Sequence, residues 1–261
     1  MGRILAFLYG VIAYVIFFIS ILYAIGFVGN FLVPKSIDSG LETPFGEALM
    51  VNALLLGLFA IQHTIMARPG FKRWWTQIIP KSVERSTFVL VSSLLLLLLY
   101  WQWRPIGGLV WEVKNTLGQN ILYALFVIGW VQVFLSTFLI NHFDLFGLRQ
   151  VFLHLRKKEY NPLSYVTPML YRMVRHPLML GLIIAFWATP MMSLGHLIFA
   201  IGTTLYILVG IQFEERDLIT FHGKSYENYR HQVPMLVPFL KGSKLKVQAG
   251  EITEQKQEVI Q

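Results

Sequence analysis

Residues 5–32 run for 28 positions without a single charged side chain. As a helix this block would be about 42 Å long, more than the ~30 Å hydrocarbon core of a bilayer. Inside lipid every backbone N–H and C=O must be paired within the protein, so such a segment has to be a helix. Charge-free blocks recur at about 48–66, 87–103 and 120–140. A last one begins at Pro177, breaks at Thr189-Pro190 and resumes over 193–213. Its first arm is short for a crossing, and a proline at the break favours a helical hairpin over one very long helix. The expected fold class is therefore all-α: a polytopic membrane helical bundle closed by a C-terminal helical hairpin. Only Met1, Gly2, Arg3 and Ile4 precede the first block and no small-residue cleavage site follows it, so it reads as an anchor and not as a cleaved signal peptide.

The charges orient this bundle. A hydrophobic fraction of 55% with a net charge of +8 could suggest a nucleic-acid partner, but Lys and Arg lie in the loops between apolar blocks, as in membrane proteins, and no nucleic acid is expected. Arg68, Lys72, Arg73, Lys81 and Arg85 follow the second block against Glu84. Arg149, Arg156, Lys157, Lys158, Arg172 and Arg175 follow the fourth against Asp144 and Glu159. The first loop instead holds Lys35 against Asp38, Glu42 and Glu47. Positive-inside bias then puts both basic loops and both termini in the cytoplasm, which demands the even number of crossings that the hairpin supplies. A multi-pass protein of a bacterial inner membrane is expected. There is no cysteine, which removes disulfides, thiolate metal sites and a cysteine nucleophile.

From Glu214 to about Gln232 the chain is polar yet patterned, with Leu218, Phe221 and Tyr229 among charges. This predicts an interfacial cytoplasmic helix, bent at Gly223 and ended by Pro234 and Pro238. After Lys241 the composition is that of a solvated tail. Three regions follow: 1–145 with transmembrane helices one to four, 146–240 with a loop, the hairpin and the interfacial helix, and 241–261 as a disordered tail.

The ends of a hairpin are neighbours. The Tyr171-Arg172-Met173-Val174-Arg175-His176-Pro177 segment should therefore meet Glu214-Glu215 at the cytoplasmic interface, with His222, Tyr226, Tyr229 and Arg230 following. Ionisable groups so near hydrocarbon are costly and by default point to function; the bland alternative is a snorkelling basic cluster paired with acids.

Three elements here carry a resemblance: Arg175-His176-Pro177 with Gly181; Glu214-Glu215-x-x-Leu218; and Phe221-His222-Gly223-x-x-Tyr226-x-x-Tyr229-x-x-x-Val233-Pro234. In this order and spacing they resemble the isoprenylcysteine carboxyl methyltransferase superfamily, to which phospholipid methyltransferases and NnrU-like proteins look related. The segment Asn141-His142-Phe143-Asp144-Leu145-Phe146-Gly147-Leu148-Arg149-Gln150, together with length and block order, looks like that of the bacterial methanethiol S-methyltransferases. The resemblance implies a membrane-embedded enzyme that takes S-adenosylmethionine as co-substrate, needs no metal, and converts methanethiol to dimethyl sulfide, with hydrogen sulfide as a second candidate acceptor.

Carried over position by position, the resemblance implies cofactor binding at Tyr171, Arg175, His176, Pro177, Glu214 and Tyr229; Arg230 is suited by its own chemistry either to the cofactor carboxylate, as a bidentate pair, or to lipid phosphates. Residues 163–166 fall where a further cofactor loop lies but match it poorly. Where the isoprenylcysteine enzymes place a substrate-facing arginine, four residues before the glutamate, this chain has Gly210. Loss of that cation disfavours a free carboxylate and leaves room for a small neutral thiol. The thiolate is the nucleophile, and ionising methanethiol at neutral pH costs at least ~2 kcal/mol without a base or positive field. Tyr206 and His222 are the candidate catalytic groups, Tyr206 and Gly210 the substrate-side ones.

Other histidines read more blandly. His63, after Gln62 in the second block, suits a helix–helix hydrogen bond first and a substrate pocket second. His142 and Asp144 suit a loop or cap, and no metal motif is present. Competing functions are a phospholipid or isoprenylcysteine-like methyltransferase, a non-catalytic NnrU-like membrane protein, and a transporter. The transporter reading lacks a second broken segment in the first half, and the charged cluster lies at one face instead of the midplane.

Overall fold

The computed structural model describes residues 2–163 and 166–238. The expected tail, 241–261, and two of the four residues at 163–166 lie outside them. The membrane helices are α1 (Arg3–Gly29), α2 (Phe45–Ala67), α4 (Lys81–Gln102), α5 (Thr116–Ile140) and α9 (Leu194–His222), all long and apolar enough to cross a bilayer. The chain is thus a multi-pass integral membrane protein. Shorter helices are α3 (Pro69–Trp75), α6 (His142–Leu145), α7 (Leu148–Leu155), α8 (Pro177–Trp187) and α10 (Lys224–Gln232), with a 3-10 turn at Met169–Arg172.

The expected hairpin is formed by α8 and α9, with an asymmetry. Helix α8 has 11 residues and rises about 16 Å, roughly half the hydrocarbon core. The break at its far end is finished by a two-stranded antiparallel ribbon of β1 (Leu109–Glu112) and β2 (Met191–Ser193), with Trp111 opposite Met192. Val113 N–H donates to Pro190 O, and Leu194 N–H to Gly108 O, at 2.8 Å each. These bonds pair backbone groups of the break and of the first turn of α9, which have no partner within a helix. Among the described residues the ribbon is the one addition to the otherwise helical plan.

The core is aromatic. Phe27 of α1, Trp103 after α4 and Phe199 of α9 meet edge to face, and the Trp103 indole donates to Ile37 O at 3.1 Å. Helices α5 and α8 touch backbone to backbone: a Cβ on Gly129 would lie 2.7 Å from Gly181 O, and one on Gly181 2.7 Å from Gly129 O. Lipid gives no hydrophobic drive between helices, so close approach at small residues supplies the packing. On the α1 side, His142 ties α6 to the bundle, with Tyr14 Oη and Thr137 Oγ1 each 2.8 Å from its ring nitrogens. Asp144 pairs with Arg149 at 2.8 Å, and Asn141 Oδ1 accepts from Asp144 N–H, the cap that the spacing of His142 and Asp144 suggests.

Candidate functional site

Helix α8 is short because the chain that leads to it dips into the bundle. Gln132 Nε2 of α5 donates to Pro177 O at 2.8 Å, and Tyr171 Oη to Ser136 O at 3.4 Å. Pro177 therefore sits level with Gln132, eight residues, or about 12 Å, before α5 ends at Ile140. Proline at the first helical position needs no N–H partner and sets the turn into α8. Arg175 and His176, just ahead of it, are carried down into a recess.

The segment after α10 closes this recess from the other side. Arg175 N–H donates to Pro234 O at 2.9 Å and His176 N–H to Met235 O at 3.2 Å. Arg175 Nη1 reaches Arg230 O at 2.9 Å and Val233 O at 2.6 Å, satisfying carbonyls at the end of α10. Gly223, at φ 55° and ψ −135°, makes the bend between α9 and α10 that lets this segment return. That backbone region is accessible to glycine and strained for other residues.

The two corners meet as the hairpin argument predicts, and Glu215 is the hub. Arg175 Nε lies 2.7 Å and His176 Nε2 3.1 Å from Glu215 Oε1, while Arg230 Nε lies 3.3 Å from Oε2. Glu215 is 3% exposed, so its charge is neutralised by partners and not by water. Glu214 differs: its side chain is 46% exposed, and His176 Nδ1 lies 3.6 Å from its Oε2. One carboxylate is enclosed by its partners, and its neighbour is left half exposed.

Two expected tyrosines flank these acids. Tyr229 Oη donates to Tyr171 O at 2.5 Å, fastening α10 to the 3-10 turn. Burial, and then the charge of Glu214, push the Tyr171 phenol well above its ordinary value, so it remains a hydroxyl at neutral pH. The Arg230 side chain is 47% exposed beyond its bond to Glu215.

Tyr206, Gly210 and Glu214 are spaced by one turn each along α9, so they share a face. That face meets α2. The Tyr206 ring packs edge to face on Phe59 at 6.1 Å, and Arg68 Nη1 pairs with Asp217 at 2.8 Å. A Cβ on Gly210 would find nothing within 4 Å, so the helix is open there. His63 makes the helix–helix bond the sequence suggests: Nδ1 is 3.3 Å from Ser92 Oγ of α4. His222 ends α9, its ring edge-on to Phe221 at 4.9 Å. Sixteen residues separate Tyr206 from His222 on this continuous helix, about 24 Å of rise, so one small molecule cannot be reached by both at once.

Sequence reasoning named the Glu214-Glu215 corner but not which acid is buried. One residue is a 100° rotation, and the apolar pattern that would fix the inner face fades at this end of α9. Ile207 and Ile211, both buried, continue to Glu215 at the same spacing and are the signal that marks it.

No family model and no solved structure matches the chain. Among curated proteins, it is 55% identical over 240 residues to the methanethiol S-methyltransferase of Crocosphaera subtropica, covering 92% of this chain and 94% of that one. It is 54% identical to the methanethiol S-methyltransferase of Mycobacterium tuberculosis over 92% of this chain and 98% of the relative. Mouse nurim is 30% identical over 66% of this chain and 68% of its own.

Proposed function

The chain belongs to the methanethiol S-methyltransferase family, and from that premise we propose that it transfers a methyl group from S-adenosylmethionine to methanethiol, giving dimethyl sulfide. The observation that carries this reading is the pairing of a recessed charged cluster, centred on His176 and Glu215, with open space beside Gly210 one turn away from Glu214.

The residues present suit the donor. Glu214 is a half-exposed carboxylate able to accept from hydroxyls or face a cation, and Tyr171 beside it keeps its hydroxyl proton. Tyr229 and Arg230 sit on the same rim, with Arg230 suited to a carboxylate. When bound, the donor supplies an electrophilic methyl group on a sulfonium sulfur. Arg175, His176 and Pro177 act by holding the rim in place, since their polar groups are engaged with Glu215 and the chain after α10. Space at Gly210 holds the acceptor in line with that methyl, and Tyr206 walls it. The larger isoprenylcysteine carboxylate would want a cation where Gly210 stands.

With five full crossings and the recess plus α8 as a sixth, both termini and the basic loops fall on the cytoplasmic side of a bacterial inner membrane. The test is headspace gas chromatography of detergent-purified protein given both substrates. Dimethyl sulfide that requires both and vanishes on heating supports the reading; donor binding without product in that assay would overturn the choice of acceptor.

A further inference from the structure

Helices α2 and α9 run parallel, because Leu56 meets Gly202, Phe59 meets Tyr206 and Arg68 meets Asp217. Counting four residues on from the Phe59–Tyr206 pair on both helices reaches His63 and Gly210. The only titratable ring on this stretch of α2 is therefore level with the open position on α9. Above them the gap is bounded by Phe59 against Tyr206, and below by Arg68, which lies over the Phe213 ring at 5.6 Å and pairs with Asp217.

The hydrogen bonds around His63 set its tautomer. Gln62 Nε2 donates to Met66 Sδ at 2.9 Å, which turns Gln62 Oε1 toward α4, where Ser92 Oγ donates to it at 3.2 Å. With its proton committed, Ser92 Oγ can only accept from His63 Nδ1, 3.3 Å away. That leaves the proton on Nδ1 and a lone pair on Nε2, and no hydrogen bond among the described residues involves Nε2. The ring itself is stacked on Phe59 at 5.3 Å and tilted against Phe88 at 4.9 Å, so it cannot turn without losing both contacts. The charged groups that face it are Arg85 of α4 and Arg68 at the end of α2; Tyr206 is the titratable group of α9 on the same gap. Both charges are positive: they favour a thiolate in the gap and oppose a lone imidazolium, so Nε2 holds a proton only while the thiolate lies beside it.

We infer that His63 is the catalytic base, its Nε2 taking the proton of the acceptor thiol in the gap beside Gly210. This rests on the thiol methyltransferase reading above. The S–H bond breaks with its proton passing to Nε2, and its electron pair stays on sulfur. That sulfur forms a bond to the methyl carbon as the carbon–sulfonium bond breaks, leaving a neutral thioether on each side. The imidazolium then returns one proton to water. Ser92 and Gln62 are positioning residues, acting through His63.

The test is kcat/KM for methanethiol against pH in purified wild type and His63→Gln, with calorimetry of S-adenosylhomocysteine binding as the check on the donor side. At neutral pH we expect His63→Gln to lose about a hundredfold, with unchanged affinity for S-adenosylhomocysteine. The deficit should shrink as pH rises toward the thiol's own ionisation, where no base is needed. A wild-type rate, or a deficit that is the same at every pH, would overturn the assignment, the latter marking a structural role. Ser92→Ala, which keeps the imidazole but frees its tautomer, should lose roughly tenfold and carries the test if His63→Gln does not fold. Methanethiol added without donor gives a second readout: ultraviolet thiolate absorbance in wild type that His63→Gln lacks. Equal absorbance in both proteins sinks the role of His63 whether or not the acceptor has been named correctly, whereas wild type that makes no dimethyl sulfide counts against the acceptor alone.

Discussion

Arg175 Nε lies 2.7 Å from Glu215 Oε1, and this bond joins the entry of α8 to α9 across forty residues of chain. Both side chains are nearly sealed, at 10% and 4% exposure, and His176 shares the same carboxylate oxygen. Removing Glu215 would strand a guanidinium in the recess. Glu215→Ala should therefore destabilise the protein by about 3–5 kcal/mol, visible as a lowered midpoint in a detergent melt. An unaltered midpoint would show that the recess is held by other means.

Its neighbour should behave in the opposite way. Glu214→Ala removes a half-exposed carboxylate that lies 3.6 Å from His176 Nδ1, so the melt should barely move. Donor affinity should fall by ten- to a hundredfold, the worth of a hydrogen bond to a charged group. Calorimetric titration with S-adenosylmethionine separates the two acids; equal effects on stability and binding in both variants would contradict the division of labour.

Gly210 offers a graded experiment. Alanine there meets nothing within 4 Å and improves helix propensity, so Gly210→Ala should fold at least as well as wild type, gaining up to about 1 kcal/mol. Gly210→Arg should also fold but fill the gap, raising KM for methanethiol by tenfold or more while donor binding persists. Unchanged kinetics in the arginine variant would place the acceptor elsewhere.

The α5–α8 contact makes a purely mechanical prediction. Gly181→Ala puts a methyl 2.7 Å from Gly129 O, so the helices must separate. A loss of about 1–3 kcal/mol is expected. Because α8 carries His176 at its start, donor affinity should fall in the same variant. Preserved affinity together with lowered stability would mean the recess does not depend on this contact.

Much of this organisation could be read from the chain itself. The charge-free blocks place the five long helices, Pro190 the break, and Gly223 the bend, since each depends on local chemistry. The meeting of Arg175-His176 with Glu214-Glu215 followed from hairpin geometry alone, and the identity of the motifs from resemblance. Three features were hidden because they depend on register between distant segments. The β1–β2 ribbon pairs three or four residues about eighty apart, too short to signal itself in either strand. The dip before α8 is set by where Gln132 meets Pro177. The level of His63 with Gly210 is fixed by how α2 slides along α9, which neither helix records on its own.

The recess ahead of α8 bears on solubility. Methanethiol dissolves readily in hydrocarbon, whereas a sulfonium nucleoside with an amino acid tail does not. On the proposed reading, the dip brings a polar donor to the half-exposed Glu214, one helical turn from Gly210, whose neighbours Leu205 and Val209 face outward among apolar side chains. Each reactant can then arrive from the phase that already dissolves it, and a volatile thioether leaves into the phase that welcomes it. On that reading the half-length helix would serve as a meeting line between two solvents, and neither reactant would have to cross into the other's.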